Sequence, residues 1–317
     1  MTRRWVVTGC LGFLGQALTE ALLRRGDWVW GIDAQTYAAD PSAIGRLQAF
    51  PTFVPCKADL VTLDRIPDVD GVLHCAAETH VDNSLADASV FVRTNVLGTQ
   101  RLLDLLRGKP ERPLLVHVST DEVLGSHHLP RHPDDPYRPS NPYSASKAGA
   151  EMLVLAAIRT FQLRARLVRP TNLYGPRQYP EKLIPKAVRR LASGRPVPIH
   201  GDGSARRSWL DLGDAVQGLL TVLDRGEDGK VYHLGGNTNA TVREVVAAIA
   251  AALGMSPLST LTGSTPIAEY EYQRPGLDLN YVLDDQATRA LGWAPEGHLF
   301  RDLPALVASL AAEERLR

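Results

Sequence analysis

Cysteine is scarce in this chain, and its spacing offers no pairing: Cys10, Cys56 and Cys75 form neither a zinc-type quartet nor a redox dithiol. A reducing compartment is the natural expectation. Net charge is missing as well, because 35 basic and 35 acidic residues cancel, so no broad attraction to nucleic acid or an anionic membrane is expected. No apolar run approaches the ~18 residues that a membrane span requires. Met1 to Gly9 passes directly into a short apolar strand, without the long core and cleavage site of a signal segment. Internal repeats and low-complexity segments are lacking too. What remains is a soluble, cytoplasmic protein of 317 residues with 44% hydrophobic and 22% charged content, enough for one large α/β domain and a smaller companion.

The chain opens with a strand, Trp5-Val6-Val7, followed by the glycine turn Gly9-Cys10-Leu11-Gly12-Phe13-Leu14-Gly15 and a helix from Phe13 to Arg25. Glycines there let the backbone approach a pyrophosphate, whose charge the helix N-terminus then holds. A second strand, Trp28 to Ile32, ends at Asp33, where an acid suits the ribose hydroxyls of NAD and repels the extra phosphate of NADP. The competing reading of Asp33 is a turn residue after a strand. A third strand runs from Phe53 to Leu60, placing Asp59 toward the adenine side, and a fourth from Gly71 to Ala77. A helix through Asn95 to Leu106 comes next. This βα rhythm predicts a Rossmann-type, doubly wound parallel sheet.

The stretch from Leu114 to Lys147 carries the chemistry. An apolar strand, Leu114 to Val118, delivers Ser119-Thr120-Asp121-Glu122 beyond its carboxyl end, where ligands bind in such sheets. A polar, proline-rich loop leads to a helix opening Tyr143-Ser144-Ala145-Ser146-Lys147. Tyr143 and Lys147 are four apart and share a helix face. An ammonium beside a phenol favours the phenolate, which makes the pair a candidate proton acceptor for alcohol oxidation. Plain structure competes here too: Ser119-x-x-Glu122 fits a helix capping box. A sixth strand ends at Arg169, and beyond Pro170 the chain is less regular, as expected of a smaller substrate-binding part. The expected division is an NAD-binding domain over residues 1–170 with about 208–234, and a nucleotide-sugar-binding part over 171–207 and 235–317. The helix from about Val242 to Leu253 reads as packing, and the tail from Leu303 to Arg317 as a surface helix.

Taken in order, Gly9 to Gly15, Asp33, Asn95, Ser119 to Glu122, and Tyr143 with Lys147 resemble an extended short-chain dehydrogenase/reductase over essentially the whole length. More narrowly, Ala76-Ala77-Glu78-Thr79-His80-Val81-Asp82, Ser119 to Val123, Asn141 to Lys147, Tyr179 to Pro185 and Gly201-Asp202-Gly203 resemble the nucleotide-sugar 4,6-dehydratases. The resemblance implies NAD held by Gly9, Gly12, Phe13, Leu14, Gly15, Asp33, Asp59, Leu60, Ala76, Ala77, Asn95, Tyr143 and Lys147. It implies C4 oxidation with Tyr143, Lys147 and Thr120 taking the hydroxyl proton, then loss of water with Glu122 as the C5 base and Asp121 as the acid at C6, and hydride return to C6. It further implies substrate contacts from Asn172, Lys182, Leu183, His200, Arg207 and Arg274, and a homodimer formed through the helix before the central strand and the Tyr143 helix. Arg207, in the family's diphosphate position, also reads as half of a solvated basic pair with Arg206.

The chain departs from the dTDP-glucose pattern at Asn83, Leu124, His200, Ser208 and Leu277, and the stretch Thr79 to Ser84 with His200 and Ser208 resembles UDP-glucose 4,6-dehydratases instead. The nucleotide therefore stays open between UDP and dTDP. Two other functions compete: an epimerase of the same fold, and a catalytically idle NAD-binding regulator. A metal site at His127, His128 and His132 is not expected, since loop histidines need convergent geometry to bind one.

Overall fold

In the computed structural model, which describes residues 2–255 and 267–315, the predicted βα rhythm is realised as a seven-stranded parallel sheet. The first half contributes β1 (Arg4–Thr8), α1 (Phe13–Arg24), β2 (Trp28–Asp33), α2 (Pro41–Gln48), β3 (Phe53–Lys57) and β4 (Gly71–His74). After these come α3 (Val81–Ala86), α4 (Ala88–Phe91), a wide π-type turn over Val92–Leu97, α5 (Gly98–Arg107), β5 (Leu114–Val118), α6 (Pro142–Phe161) and β6 (Ala165–Pro170). The second half adds β7 (Asn172–Tyr174), α7 (Leu183–Ala192), β8 (Val197–His200), β9 (Arg206–Asp211), α8 (Leu212–Arg225) and β10 (Val231–Leu234). It closes with β11 (Thr238–Thr241), α9 (Val242–Ala252), β12 (Ala268–Glu271), α10 (Gln286–Ala290) and α11 (Leu299–Arg315).

The sheet order is β3-β2-β1-β4-β5-β6-β10, so strand order reverses between β1 and β4, the place where a doubly wound sheet opens a binding crevice. Both faces are covered, which is why β4 and β5 are buried along their whole length and read as continuous apolar runs rather than alternating ones. One face packs Leu18, Leu22, Leu219 and Leu223 of α1 and α8, and the other packs Leu102, Leu106 and Val154 of α5 and α6.

A second core lies outside this sheet. The strands β7, β9 and β11 form a small sheet, β8 pairs with β12, and α7, α9 and α11 close over them with Ile184, Val188, Val245, Ile249, Leu299, Leu303 and Val307. The tail is therefore not a surface helix: α11 starts at Leu299, and its i, i+4, i+8 stripe of Leu299, Leu303 and Val307 is buried. The final two residues of that expected tail, 316 and 317, lie outside the described residues.

Other boundaries also shift. The third strand stops at Lys57 because the Asp59 side chain accepts from Val61 N (2.9 Å) and turns the chain at Leu60. The fourth stops at His74. The helix through Asn95 is interrupted by the wide turn, which lets Asn95 point inward. The Ser119-x-x-Glu122 capping box is not formed; the short turn that begins there is capped by Thr120, whose hydroxyl accepts from Glu122 N. Among the described residues, no helix is long and apolar enough to cross a membrane, and no cluster suited to a metal ion is found. His127 bonds Leu129 O and His132 faces Asp284.

Candidate active site

The carboxyl ends of β1, β4, β5 and β6 converge on one cavity of about 280 Å³. From β1 come Gly9, Gly12, Phe13, Leu14 and Gly15; from β4, Cys75, Ala77 and Thr79; from β5, Ser119 to Glu122; and from β6, Pro170 to Leu173. The N-terminal turns of α6 supply Tyr143 and Lys147, and the segment before α7 supplies Gln178, Tyr179, Glu181 and Lys182. Residues distant in sequence thus meet because each strand ends at the same edge of the sheet.

The glycine turn is shaped for a dinucleotide. Gly9 sits at φ +68°, and a Cβ there would come within 2.8 Å of the Ala76 backbone. A Cβ on Gly15 would lie 1.9 Å from Gly9 O. Helix α1 has neither a side-chain cap nor an acidic residue in its first turn, so its leading N–H groups face the cavity uncompensated, as a diphosphate requires. The Asp33 carboxylate accepts from Leu11 N (2.9 Å) and Gln35 N (2.7 Å), and each oxygen retains a lone pair for a ribose hydroxyl. The residues present fit NAD.

Burial sorts the titratable groups. Asp121 is almost completely buried, and its carboxyl is pushed up to about 7 by desolvation and the neighbouring Glu122 charge, with the Thr120 hydroxyl (3.1 Å) opposing. Its Oδ2 has no partner. Glu122 is also raised by burial, with Arg207 and the Asn141 amide (3.4 Å) opposing. Lys147 donates to Val118 O (2.8 Å) and is brought down to about 8 by desolvation. Tyr143 is raised by burial and by Glu122. The lowering of the phenol expected from Lys147 is not seen: desolvation and the neighbouring carboxyls raise it, and the resting group is a neutral phenol.

Behind Lys147, a hydrogen-bond chain orders the strand ends. Thr99 Oγ1 donates to Asn95 O (2.6 Å) and so accepts from His74 Nε2 (2.9 Å), which leaves His74 Nδ1 to accept from Thr8 Oγ1 (2.7 Å). Burial holds His74 neutral, at about 3, in keeping with that assignment. Asn95 itself accepts from Glu78 N (2.8 Å) and donates to Glu78 O (3.0 Å) and Ser146 Oγ (2.8 Å). It clamps the β4 loop to α6 and does not line the cavity.

Of the residues expected in the site, Asp33, Asp59, Leu60, Ala76, Leu183, His200, Arg207 and Arg274 also lie off the cavity wall. Asp59 pairs with Arg93 (2.9 Å), Leu60 is buried in the core, and Ala76 N bonds Thr8 Oγ1. Leu183 begins α7 and packs on the second core. His200 lies 3.5 Å from Glu271 and 3.9 Å from Asp82, which also holds Arg274 at 2.7 Å. Arg207 is not half of a solvated pair: its guanidinium sits over the Tyr281 ring (4.8 Å) and donates to Asp278 O (3.0 Å), and its charge reaches both Asp121 and Glu122. Thr79, Tyr179, Glu181 and Ser119 stand in the motifs quoted from the sequence but carry no site role there, and neither does Cys75; Thr79 O accepts from Lys182 Nζ (3.1 Å), and the Ser119 hydroxyl has no partner. Their signal was position, since each adjoins a residue already singled out.

Comparison with known proteins gives four matches of note. The model of the NAD dependent epimerase/dehydratase family matches residues 5–235. A dTDP-glucose 4,6-dehydratase of Streptomyces griseus is 41% identical over 97% of this chain and 94% of that protein. A trifunctional UDP-glucose 4,6-dehydratase/UDP-4-keto-6-deoxy-D-glucose 3,5-epimerase/UDP-4-keto-L-rhamnose-reductase of Arabidopsis thaliana is 36% identical over 91% of this chain and 44% of its own length. The crystal structure of the dTDP-glucose 4,6-dehydratase DesIV from Streptomyces venezuelae, with NAD bound, superposes with a TM-score of 0.89 at 36% identity, covering 98% of each chain.

Proposed function

The chain belongs to the NAD dependent epimerase/dehydratase family, and from that premise we infer that it is an NAD-dependent nucleotide-sugar 4,6-dehydratase. It converts a nucleotide-linked hexose into the 4-keto-6-deoxy sugar. The observation that carries this reading is the adjacent pair at the cavity wall beside Tyr143, Asp121 buried and Glu122 half-buried. Elimination of water needs one group that gives a proton and one that takes it. Oxidation at C4 needs only a proton acceptor, which Tyr143 with Lys147 supplies without either carboxyl.

The roles follow from the environments. Bound NAD would supply the hydride acceptor for C4 and the hydride donor for C6. Gly9, Gly12, Phe13, Leu14 and Gly15 would hold its diphosphate, Asp33, Asp59 and Leu60 the adenosine half, and Ala76, Ala77, Tyr143 and Lys147 the other half, with Asn95 bracing that end. Tyr143, steadied by the Thr120 hydroxyl, receives the proton of the sugar 4-hydroxyl as it gives up its own phenolic proton, and Lys147, at about 8 and one helical turn away, takes up that proton in its unprotonated form. Once the C4 ketone exists, the C5 proton is acidic, and Glu122 removes it. Asp121, at about 7, is still substantially protonated near neutral pH and gives its proton to the departing C6 hydroxyl. Asn172 and Lys182 line the sugar side, with Leu183 behind them at the start of α7, while Arg207, Arg274 and His200 receive the nucleotide diphosphate and base, Arg207 by its planar fork of donors.

The hexose is UDP- or dTDP-linked in this reading, and the protein works in the cytoplasm as a homodimer. Leu85, Val90, Val92, Leu97 and Met152 support the dimer, since all are exposed on α3, α4, the wide turn and α6.

The test is mass spectrometry of the purified protein incubated separately with UDP-glucose and dTDP-glucose. Loss of one water from either is expected, and the faster substrate identifies the nucleotide. An isomer of unchanged mass would replace this reading with epimerisation.

A further inference from the structure

We propose that Asn141, the residue capping α6, is a positioning residue that sets Glu122 apart from its neighbour Asp121 as the proton acceptor. The proposal rests on the dehydratase reading and refines it: two adjacent carboxyls with equivalent surroundings would have no fixed division of labour.

The geometry of Asn141 is determined at three points. Its Oδ1 accepts from Ser144 N (2.9 Å), and its own N–H is bonded by Ser144 Oγ (3.2 Å), a reciprocal capping box in a buried position. With Oδ1 committed to the helix, the amide can be oriented only one way. Nδ2 then faces Glu122 Oε2 at 3.4 Å. That contact is long for a hydrogen bond, as contacts at catalytic groups often are before a substrate closes the site. Among the described residues, it is the one side-chain donor bonded to Glu122.

Asp121 has no amide donor, and its one side-chain donor is a hydroxyl whose single proton it shares with Tyr143. Its Oδ1 meets the Thr120 hydroxyl and its Oδ2 meets nothing. The remaining groups facing Glu122 are Asp121, Arg207 on β9, Asp278 and Tyr281 beyond β12, Arg274, Lys182 before α7, and Tyr143 on α6. Arg207 acts on both carboxyls, so it favours ionisation of both without choosing between them. A fixed amide donor touching Glu122 alone favours its anion and leaves Asp121 to carry the proton. The same residue begins the helix that carries Tyr143 and Lys147, so the oxidising pair and the base are held by one anchor.

The experiment compares wild type, Asn141→Ser and Glu122→Gln, using whichever of UDP-glucose and dTDP-glucose is turned over. Serine caps a helix about as well as asparagine but lacks the amide donor. The readouts are the melting temperature, the single-turnover rate of C4 oxidation followed by absorbance of the reduced cofactor, and the release of C5 deuterium from labelled substrate as a function of pH. Asn141→Ser is expected to melt as wild type and to oxidise C4 within about twofold of it. The acid limb of C5 deuterium release should rise by about one pH unit, which slows release about tenfold at pH values below the limb and hardly at all on the plateau above it. An unmoved acid limb in a variant that melts normally would overturn the proposal. Should Asn141→Ser melt early, Asn141→Asp keeps the cap and adds a second carboxylate beside Glu122, so its acid limb must rise further; no rise overturns the proposal equally. Retention of C5 release by Glu122→Gln would instead sink the base assignment itself.

Discussion

Asp121 shows most directly how burial becomes chemistry. Removed from water and set beside Glu122, its carboxyl reaches about 7, against an ordinary value of 3.8. Because the folded value is raised, the native state binds the extra proton between about pH 4 and pH 7, and stability falls across that window as pH increases. Asp121→Asn removes this cost. The variant is expected to melt higher than wild type at pH 8, by an amount on the order of a few kcal/mol, and to be equally stable near pH 4. Its elimination rate should fall about 10² to 10⁴-fold, because the C6 hydroxyl loses its proton donor. Melting curves at the two pH values, with product analysis, check both halves. Tyr143→Phe is expected to lose a similar factor in C4 oxidation, read as absence of the reduced-cofactor absorbance in a single turnover. The spacing of Tyr143 and Lys147 was legible in the sequence. Their protonation was not, since it depends on desolvation by residues from other strands, and the phenol lies on the opposite side of its reference value from the one the neighbouring lysine suggested.

At the scale of elements, the strands and most helices were readable because apolar runs and glycine turns are local signals. What the sequence did not disclose lies where tertiary contacts override periodicity. The wide turn over Val92–Leu97 is one case: it rotates Asn95 inward to brace Glu78 and Ser146, joining the β4 loop to α6. Asn95→Ala leaves the Glu78 N–H without its partner, so it should destabilise the fold by about 1–3 kcal/mol and loosen NAD, measurable as a higher equilibrium dissociation constant. The glycine turn gives a sharper case. Since a Cβ on Gly15 would lie 1.9 Å from Gly9 O, a backbone atom that cannot swing aside, Gly15→Ala must open the turn. Loss of NAD binding by titration is the expected result, with the second core unaffected. Helix α11 was misjudged as a surface helix because its stripe faces strands that are remote in sequence, and only the assembled second core reveals their contact.

Across the whole molecule, the cleft between the two cores is spanned by polar pairs: Arg274 with Asp82, and Lys182 with Thr79. The fold class could be read from the alternation of strands and helices. The positions of Arg207 and Tyr281 could not, because a cation stacked on an aromatic ring across 74 residues leaves no periodic trace. The same scale holds the proposed dimer. Leu97→Glu would place a charge in the exposed apolar face shared by the wide turn and α6, and is expected to shift the protein to a monomer in sedimentation. In the proposed reaction one site oxidises C4, expels the C6 hydroxyl and restores the hydride within the same sugar. The direct test is NMR of the product formed from UDP-glucose or dTDP-glucose deuterated at C4. Deuterium recovered at C6 of a 4-keto-6-deoxy sugar is the predicted result, whereas deuterium retained at C4 of an intact hexose would contradict it.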